Sequence, residues 1–113
     1  MMDLSKLKKI DTQKMYQIYD IWPKIAQESY NFDHSQIEFK NIDHIVFAGM
    51  GGSGAIGDIF SSILSKTNIH VSVVKGYILP KTVDSNTLVI NTSVSGNTVE
   101  TLSSLESAIE ANA

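Results

Sequence analysis

A glycine-rich turn at residues 49–54, GMGGSG, has the residue types and spacing that bind anions. It follows the apolar run IVFA at 45–48 and has the spacing G-x-G-x-x-G. Glycines let a ligand approach the backbone closely, and a helix that starts after the turn presents unpaired N–H groups and the positive end of its dipole. Ser53 could cap this helix or offer its hydroxyl to a phosphate. The pattern therefore predicts an anion site at the start of a helix.

Three interpretations of this turn are open on the residues alone. A dinucleotide fold needs an Asp or Glu about 20 residues further on, at the end of the second strand, to bind the ribose hydroxyl. The corresponding stretch is VVKG at 73–76, where Lys75 could meet only a 2′-phosphate. A second interpretation is that the glycines only allow a strand and a helix to pack closely. We favour the third, a phosphate group of another ligand.

A second turn, within NTSVSGNTVETL at residues 91–102, is dense in short hydroxyl side chains. Ser93, Ser95 and Thr98 surround the predicted start of a helix, where backbone N–H groups are free. Asn97 is the expected N-cap, and Glu100 three residues later completes the pattern of a capping box. The hydroxyls could serve only to cap the helix and satisfy the turn. Their density opposite a glycine turn favours a site for a dianion instead.

The composition restricts which groups can bind an anion and which functions are open to the chain. All nine basic residues are Lys, so an anion site must use Lys, hydroxyls or backbone N–H groups. The net charge of −3 argues against nucleic-acid binding. No apolar run reaches the length of about 20 residues that spans a bilayer, which argues against a membrane protein.

The metal-ligating residue types are sparse. Cys is absent, which excludes thiolate sites and fits the reducing cytoplasm. His34, His44 and His70 lack the spacing of a ligand pair, so we expect no metal site, and we place His44 and His70 at strand edges or in loops.

The turns are positioned by a pattern of strands and helices. We predict strands at 45–48, 69–74 and 87–90, helices at 54–66 and 99–109, and a helical stretch at 10–30 that Pro23 kinks or divides. Such buried-type strands are typical of a parallel sheet covered by helices. Because the carboxyl ends of parallel strands share one edge, both turns should line it. Sheets usually have about 5–6 strands, so we expect an incomplete α/β domain.

Three motifs carry a resemblance to a known family. GMGGSG, GYILP at 76–80 and SVSGNTVETL at 93–102 resemble the start of a sugar isomerase (SIS) domain, and are most similar to the dual-specificity phosphoglucose/phosphomannose isomerases. The resemblance covers residues 44–113. It implies a three-layer, doubly wound parallel sheet of the flavodoxin-like type, incomplete here, after an N-terminal helical extension and connector at 1–43. Val94 stands where this branch more often has Tyr.

The resemblance assigns a sugar 6-phosphate to the two turns. Gly51 and Gly96 would permit close approach of the ligand, and the phosphate would be held by Gly52, Ser53, Ser93, Ser95 and Thr98. The family moves a proton between sugar C2 and C1 through an enediol, with a Glu as base. Those catalytic positions fall beyond residue 113, so we expect none in this segment and no turnover from it alone. The resemblance further implies a cytoplasmic homodimer that needs no cofactor.

Two other functions are open beside the isomerase. One is a non-catalytic sugar-phosphate sensor, which is found fused to DNA-binding modules and would need a basic helix-turn-helix. Residues 1–43 contain Lys6, Lys8 and Lys9 but no convincing pair of helices of that kind. The other is a nucleotide-binding module, which the missing acid after the second strand disfavours.

Overall fold

The computed structural model describes residues 3–33 and 35–113, and the chain divides into two compact units, Met1–Ile37 and Glu38–Ala113. His34, one of the three histidines without the spacing of a ligand pair, lies outside the described residues. The predicted domain boundary between residues 43 and 44 stays a prediction. Among the described residues, no helix is both long and apolar enough to cross a membrane.

The described part of the first unit contains two helices, α1 at Leu4–Ile10 and α2 at Met15–Asn31. Of the two outcomes predicted for Pro23, division of the helical stretch was wrong, because α2 runs through Pro23. The helical stretch breaks earlier, at a turn in which Lys14 has a φ of 55°. There Asp11 Oδ2 accepts the backbone N–H of Tyr16 at 2.8 Å, which fixes the start of α2. Pro23 removes one N–H donor, and the residues on both sides continue the helix.

The second unit is built on a parallel sheet of three strands in the order β2-β1-β3. β1 spans His44–Ala48, β2 spans His70–Val74 and β3 spans Thr87–Asn91. The strands start level with one another, since His44 is opposite both His70 and Thr87. The central strand reads as an apolar run because both of its faces are covered.

The two faces of the sheet are covered by different elements. On one face lies α3, Gly51–Leu64; a Cβ placed on its Gly57 would be 2.8 Å from Phe47 Cβ. The opposite face carries the core residues Val46 and Ala48, which pack with Leu79 of the β2–β3 loop and Ala108 of α4, Val99–Glu110. Successive strand residues point to opposite faces, so these contacts define three layers. The predicted incomplete α/β fold is confirmed.

Candidate functional site

The glycine turn forms the beginning of α3 itself. The helix starts at Gly51, whose φ is +56°, and not at residue 54 as the sequence predicted. The N-cap position is Met50, which makes no side-chain capping bond, so the idea that Ser53 caps this helix was wrong. Ser53 lies in the first turn, and its hydroxyl has no partner within the described residues. It is therefore available to a ligand.

The glycines of this turn have two separate roles. A Cβ on Gly49 would be 3.0 Å from Thr92 O, and one on Gly54 would be 2.6 Å from Gly49 O. These two positions are glycine because backbone passes close to them. Gly51 and Gly52 differ, since a Cβ on either would meet nothing within 4 Å. Close packing thus explains only part of the motif and leaves its exposed glycines open to a ligand.

The second turn gathers three hydroxyls. Thr98 Oγ1 is 3.1 Å from Ser93 Oγ and 3.3 Å from Ser95 Oγ. The two serine oxygens also accept backbone N–H groups, Ser93 from Gly96 at 3.1 Å and Ser95 from Asn97 at 3.2 Å. Gly96 has a φ of +70° and open space where a Cβ would stand. The turn therefore holds the hydroxyls together on an accessible surface.

Counting protons shows that this cluster has a spare donor. Three hydroxyls carry three protons, and the two bonds that join them use two. Ser93 and Ser95 also accept the backbone N–H groups of Gly96 and Asn97, and accepting these bonds uses no hydroxyl proton. At least one O–H is therefore directed away from its neighbours. Hydrogen bonds to ionised acceptors are the strong ones, and a phosphate oxygen would satisfy this donor.

The start of α4 adds further donors. Thr98 is its N-cap and makes no side-chain capping bond, so the predicted capping box of Asn97 and Glu100 was wrong. The N-terminus of α1 is different, because Asp3 there accepts the N–H of Lys6 at 2.9 Å. The first N–H groups of α3 and α4 have no acceptor within their helices. The two helix N-termini thus offer unpaired donors and positive dipole ends.

The two turns are in contact with each other. Gly49 lies between them, since its substitution by a larger residue would bring Cβ to 3.0 Å from Thr92 O and 3.2 Å from Ser53 Cβ. A hydrogen bond also ties the second turn to α4, because Ser104 Oγ donates to Asn91 Oδ1 at 2.7 Å. The predicted convergence of the two turns at the carboxyl edge therefore holds for their backbones. That they bind phosphate stays a prediction.

The comparison with known proteins agrees with the motifs. A family model described as the SIS domain matches residues 38–113, which is most of the chain. The chain belongs to the SIS domain family. This membership confirms the resemblance drawn from the two turns and the GYILP segment, and it covers the whole of the second unit.

Several curated relatives of this SIS domain are enzymes of phosphosugars by name. The bifunctional phosphoglucose/phosphomannose isomerase of Caldicellulosiruptor bescii is 39% identical over 95 residues, which are 80% of this chain and 28% of that protein. The enzyme of the same name from Aquifex aeolicus is 52% identical over 67 residues, 58% of this chain and 21% of its own. The D-glucosamine-6-phosphate 4-epimerase of Sulfolobus acidocaldarius is 30% identical over 96 residues, which are 85% of this chain and 29% of that protein.

The chain spans 21–29% of the length of these three relatives. No solved structure matches it.

Beside the SIS-domain turns, Lys75 already has a partner. Lys75 Nζ, directly after β2, pairs with Asp58 Oδ2 of α3 at 2.5 Å, so it is not poised for a nucleotide 2′-phosphate. Both side chains are about half exposed, and such pairs contribute little to stability. No three His, Asp or Glu side chains within residues 3–33 and 35–113 come together to hold a metal.

A cavity of about 310 Å³ belongs to the first unit, between Lys8 and Gln17.

Proposed function

We propose that this chain supplies the sugar 6-phosphate site of an aldose–ketose isomerase. The reaction would interconvert glucose 6-phosphate or mannose 6-phosphate with fructose 6-phosphate. The spare hydroxyl proton in the cluster of Ser93, Ser95 and Thr98, beside two helix N-termini without side-chain caps, is the observation that carries this proposal. The names of the relatives, all enzymes of phosphosugars, support the same class of ligand.

The arrangement favours a terminal phosphate over a dinucleotide. Dinucleotide sites of this architecture use a carboxylate at the end of the second strand for the ribose, and here that strand ends at Val74 and is followed by Lys75. A terminal phosphate instead needs many donors converging from several directions. Backbone N–H groups of Gly51 and Gly52 and the hydroxyls of Ser53, Ser93, Ser95 and Thr98 would supply them without any Arg.

In this proposal the two turns bind and orient the substrate but do not move its protons. Isomerisation transfers a proton between C2 and C1, and a general base must lie within about 2.6–3.2 Å of that proton. The phosphate is on C6, at the far end of the sugar. Binding energy from a remote group accelerates the reaction when it holds the reacting atoms against catalytic groups. We place the base outside residues 1–113, because the carboxylate beside the turns, Glu100, is in the first turn of α4.

The further parts of the proposal concern assembly and location. We propose a cytoplasmic homodimer in the native-length protein. Apolar side chains on α4 fit a surface that further protein covers, since Val99 is 63% exposed and Ile109 is 67% exposed. Large exposed apolar patches mark interaction sites in soluble proteins.

The proposed reaction is tested by measuring turnover of fructose 6-phosphate by the native-length protein and by residues 1–113 side by side. We expect isomerase turnover from the native-length protein and none from the 113-residue chain, because the latter lacks a positioned base. Binding of fructose 6-phosphate without turnover in the native-length protein would favour the sensor function. Robust turnover from residues 1–113 alone would contradict the placement of the base.

A further inference from the structure

A polar cluster occupies the amino-terminal end of the sheet, opposite the edge that carries the two turns. His44 and His70 are the first residues of β1 and β2, and Thr87 is the first residue of β3. His44 is buried in the central strand, with 5% of its surface exposed, so its expected place at an edge or in a loop was wrong. The His44 and His70 rings have centroids 4.6 Å apart, and both Nε2 atoms approach Ser72 Oγ, at 3.0 and 3.3 Å.

The hydroxyl of Thr87 determines where His44 carries its proton. Thr87 Oγ1 has one proton, which it donates to Asp84 Oδ1 at 3.1 Å, and it accepts the backbone N–H of Asp84 at 3.1 Å. A carboxylate only accepts hydrogen bonds, so this direction is fixed. Towards His44 Nδ1, 3.4 Å away, Thr87 is therefore left to accept. We assign the Nδ1–H tautomer to His44, whose Nε2 is then a bare acceptor.

The hydroxyl of Ser72 extends this order to the second histidine. The Ser72 hydroxyl also has one proton, and it donates that proton in a hydrogen bond to the bare Nε2 of His44, 3.0 Å away. The bond from His70 Nε2 to the same oxygen must therefore be donated by His70. Each group therefore donates a hydrogen bond to the next, from His70 through Ser72, His44 and Thr87 to the Asp84 carboxylate. In this arrangement, with His44 neutral, every donor of the cluster meets an acceptor.

We propose that this cluster is a proton-sensitive lock that joins the starts of the three strands and the loop before β3. A proton on His44 Nε2 converts the acceptor of the Ser72 hydroxyl into a second donor. The Ser72 proton can then turn only to His70 Nε2, which must first give up its own proton, and a charged, buried ring lies 4.6 Å from His70 in the sheet. An unpaired charge is costly when it is buried. The lock is therefore closed at neutral pH and opened by acid.

The surroundings of His44 agree with this direction. Burial, and next the repulsion by His70 on β2, lower the pKa of His44 from its ordinary value of 6.5. Three groups act against them: the Thr82 carbonyl, Asp43 before β1 and Asp84 before β3. Unfolded His44 keeps its ordinary pKa, so below about pH 6.5 the unfolded state binds the proton that the folded state resists. Stability is lost as the pH falls below that value, and the loss is complete below the folded pKa.

The lock is tested on the native-length protein by comparing melting temperatures at about pH 7.5 and about pH 5.5, on either side of the ordinary His pKa. We expect the fall in Tm between them to be smaller by about 2–8 °C in His44→Gln than in the wild type, since Gln cannot take up the proton. His70→Gln, which removes the repulsion but keeps His44, should reduce the fall by less. Equal falls in His44→Gln and in the wild type would overturn the proposal.

A second measurement stands even if His44→Gln does not fold. Nitrogen-15 spectra of the wild type at about pH 7.5 should show a proton on Nδ1 of His44 and on Nε2 of His70. The signals are assigned by their loss in His70→Gln, a substitution at an exposed ring. A proton on Nε2 of His44 at that pH would contradict the proposed direction of the chain. Neither measurement depends on the ligand of the two turns.

Discussion

Replacing Thr98 by Val is expected to weaken the binding of fructose 6-phosphate to the native-length protein by about 10–150-fold. Thr98 Oγ1 is the atom that both Ser93 and Ser95 contact, so its loss removes one donor and the partner that orders the other two. A hydrogen bond to a charged group contributes about 1.5–3 kcal/mol. Ser95→Ala, which removes one donor and leaves Thr98, should change affinity in the same direction. Calorimetric titration measures both.

The control for Thr98→Val is Thr82→Val, at an exposed position in the β2–β3 loop. It makes the same change of a hydroxyl for a methyl outside the hydroxyl cluster, and we expect it to leave the affinity unaltered. Thr98 makes no side-chain capping bond but does contact both serines, so we expect the Val variant to lower the free energy of unfolding by about 0.5–1.5 kcal/mol. An affinity for fructose 6-phosphate that is unchanged in both Thr98→Val and Ser95→Ala would contradict phosphate binding at this turn.

Replacing Gly54 by Ala is expected to lower the free energy of unfolding by about 1–3 kcal/mol, the usual cost of overpacking. The added Cβ would be 2.6 Å from Gly49 O, and backbone must move to relieve that contact. The new methyl would also be 3.1 Å from Lys75 Cγ, but that side chain is flexible enough to turn away. Urea unfolding of the native-length protein measures the shift. A Gly54→Ala variant as stable as the wild type would contradict the close approach of α3 to the end of β1.

The strands and the site edge could be predicted from the sequence because their signals are local. The apolar run before Gly49 and the β-branched segment before Lys75 both gave strands within a residue of the observed bounds. Buried parallel strands need such runs on both faces. The carboxyl ends of parallel strands share one edge, which predicts that both turns lie there. The close approach of Gly49 and Thr92 agrees with that prediction.

Other features depended on contacts that no local pattern contains. α3 begins at Gly51, whose positive φ glycine tolerates but the sequence does not impose. Asn97 has the residue type of an N-cap, but Thr98 occupies that position and its hydroxyl contacts Ser93 and Ser95 instead of capping the helix. The burial of His44 follows from its register with His70 and Thr87, and those two residues lie far away in the sequence.

The proposal that the glycine turn binds phosphate is tested most directly with Gly52→Ala. A Cβ at residue 52 would meet no protein atom within 4 Å, and Ala favours a helix over Gly by about 1 kcal/mol. We therefore expect an unfolding midpoint in urea that is equal to or higher than that of the wild type. We also expect the affinity for fructose 6-phosphate to fall on the order of tenfold, about 1.4 kcal/mol, because the methyl would project into the proposed phosphate site. Equal dissociation constants for the wild type and Gly52→Ala would contradict it.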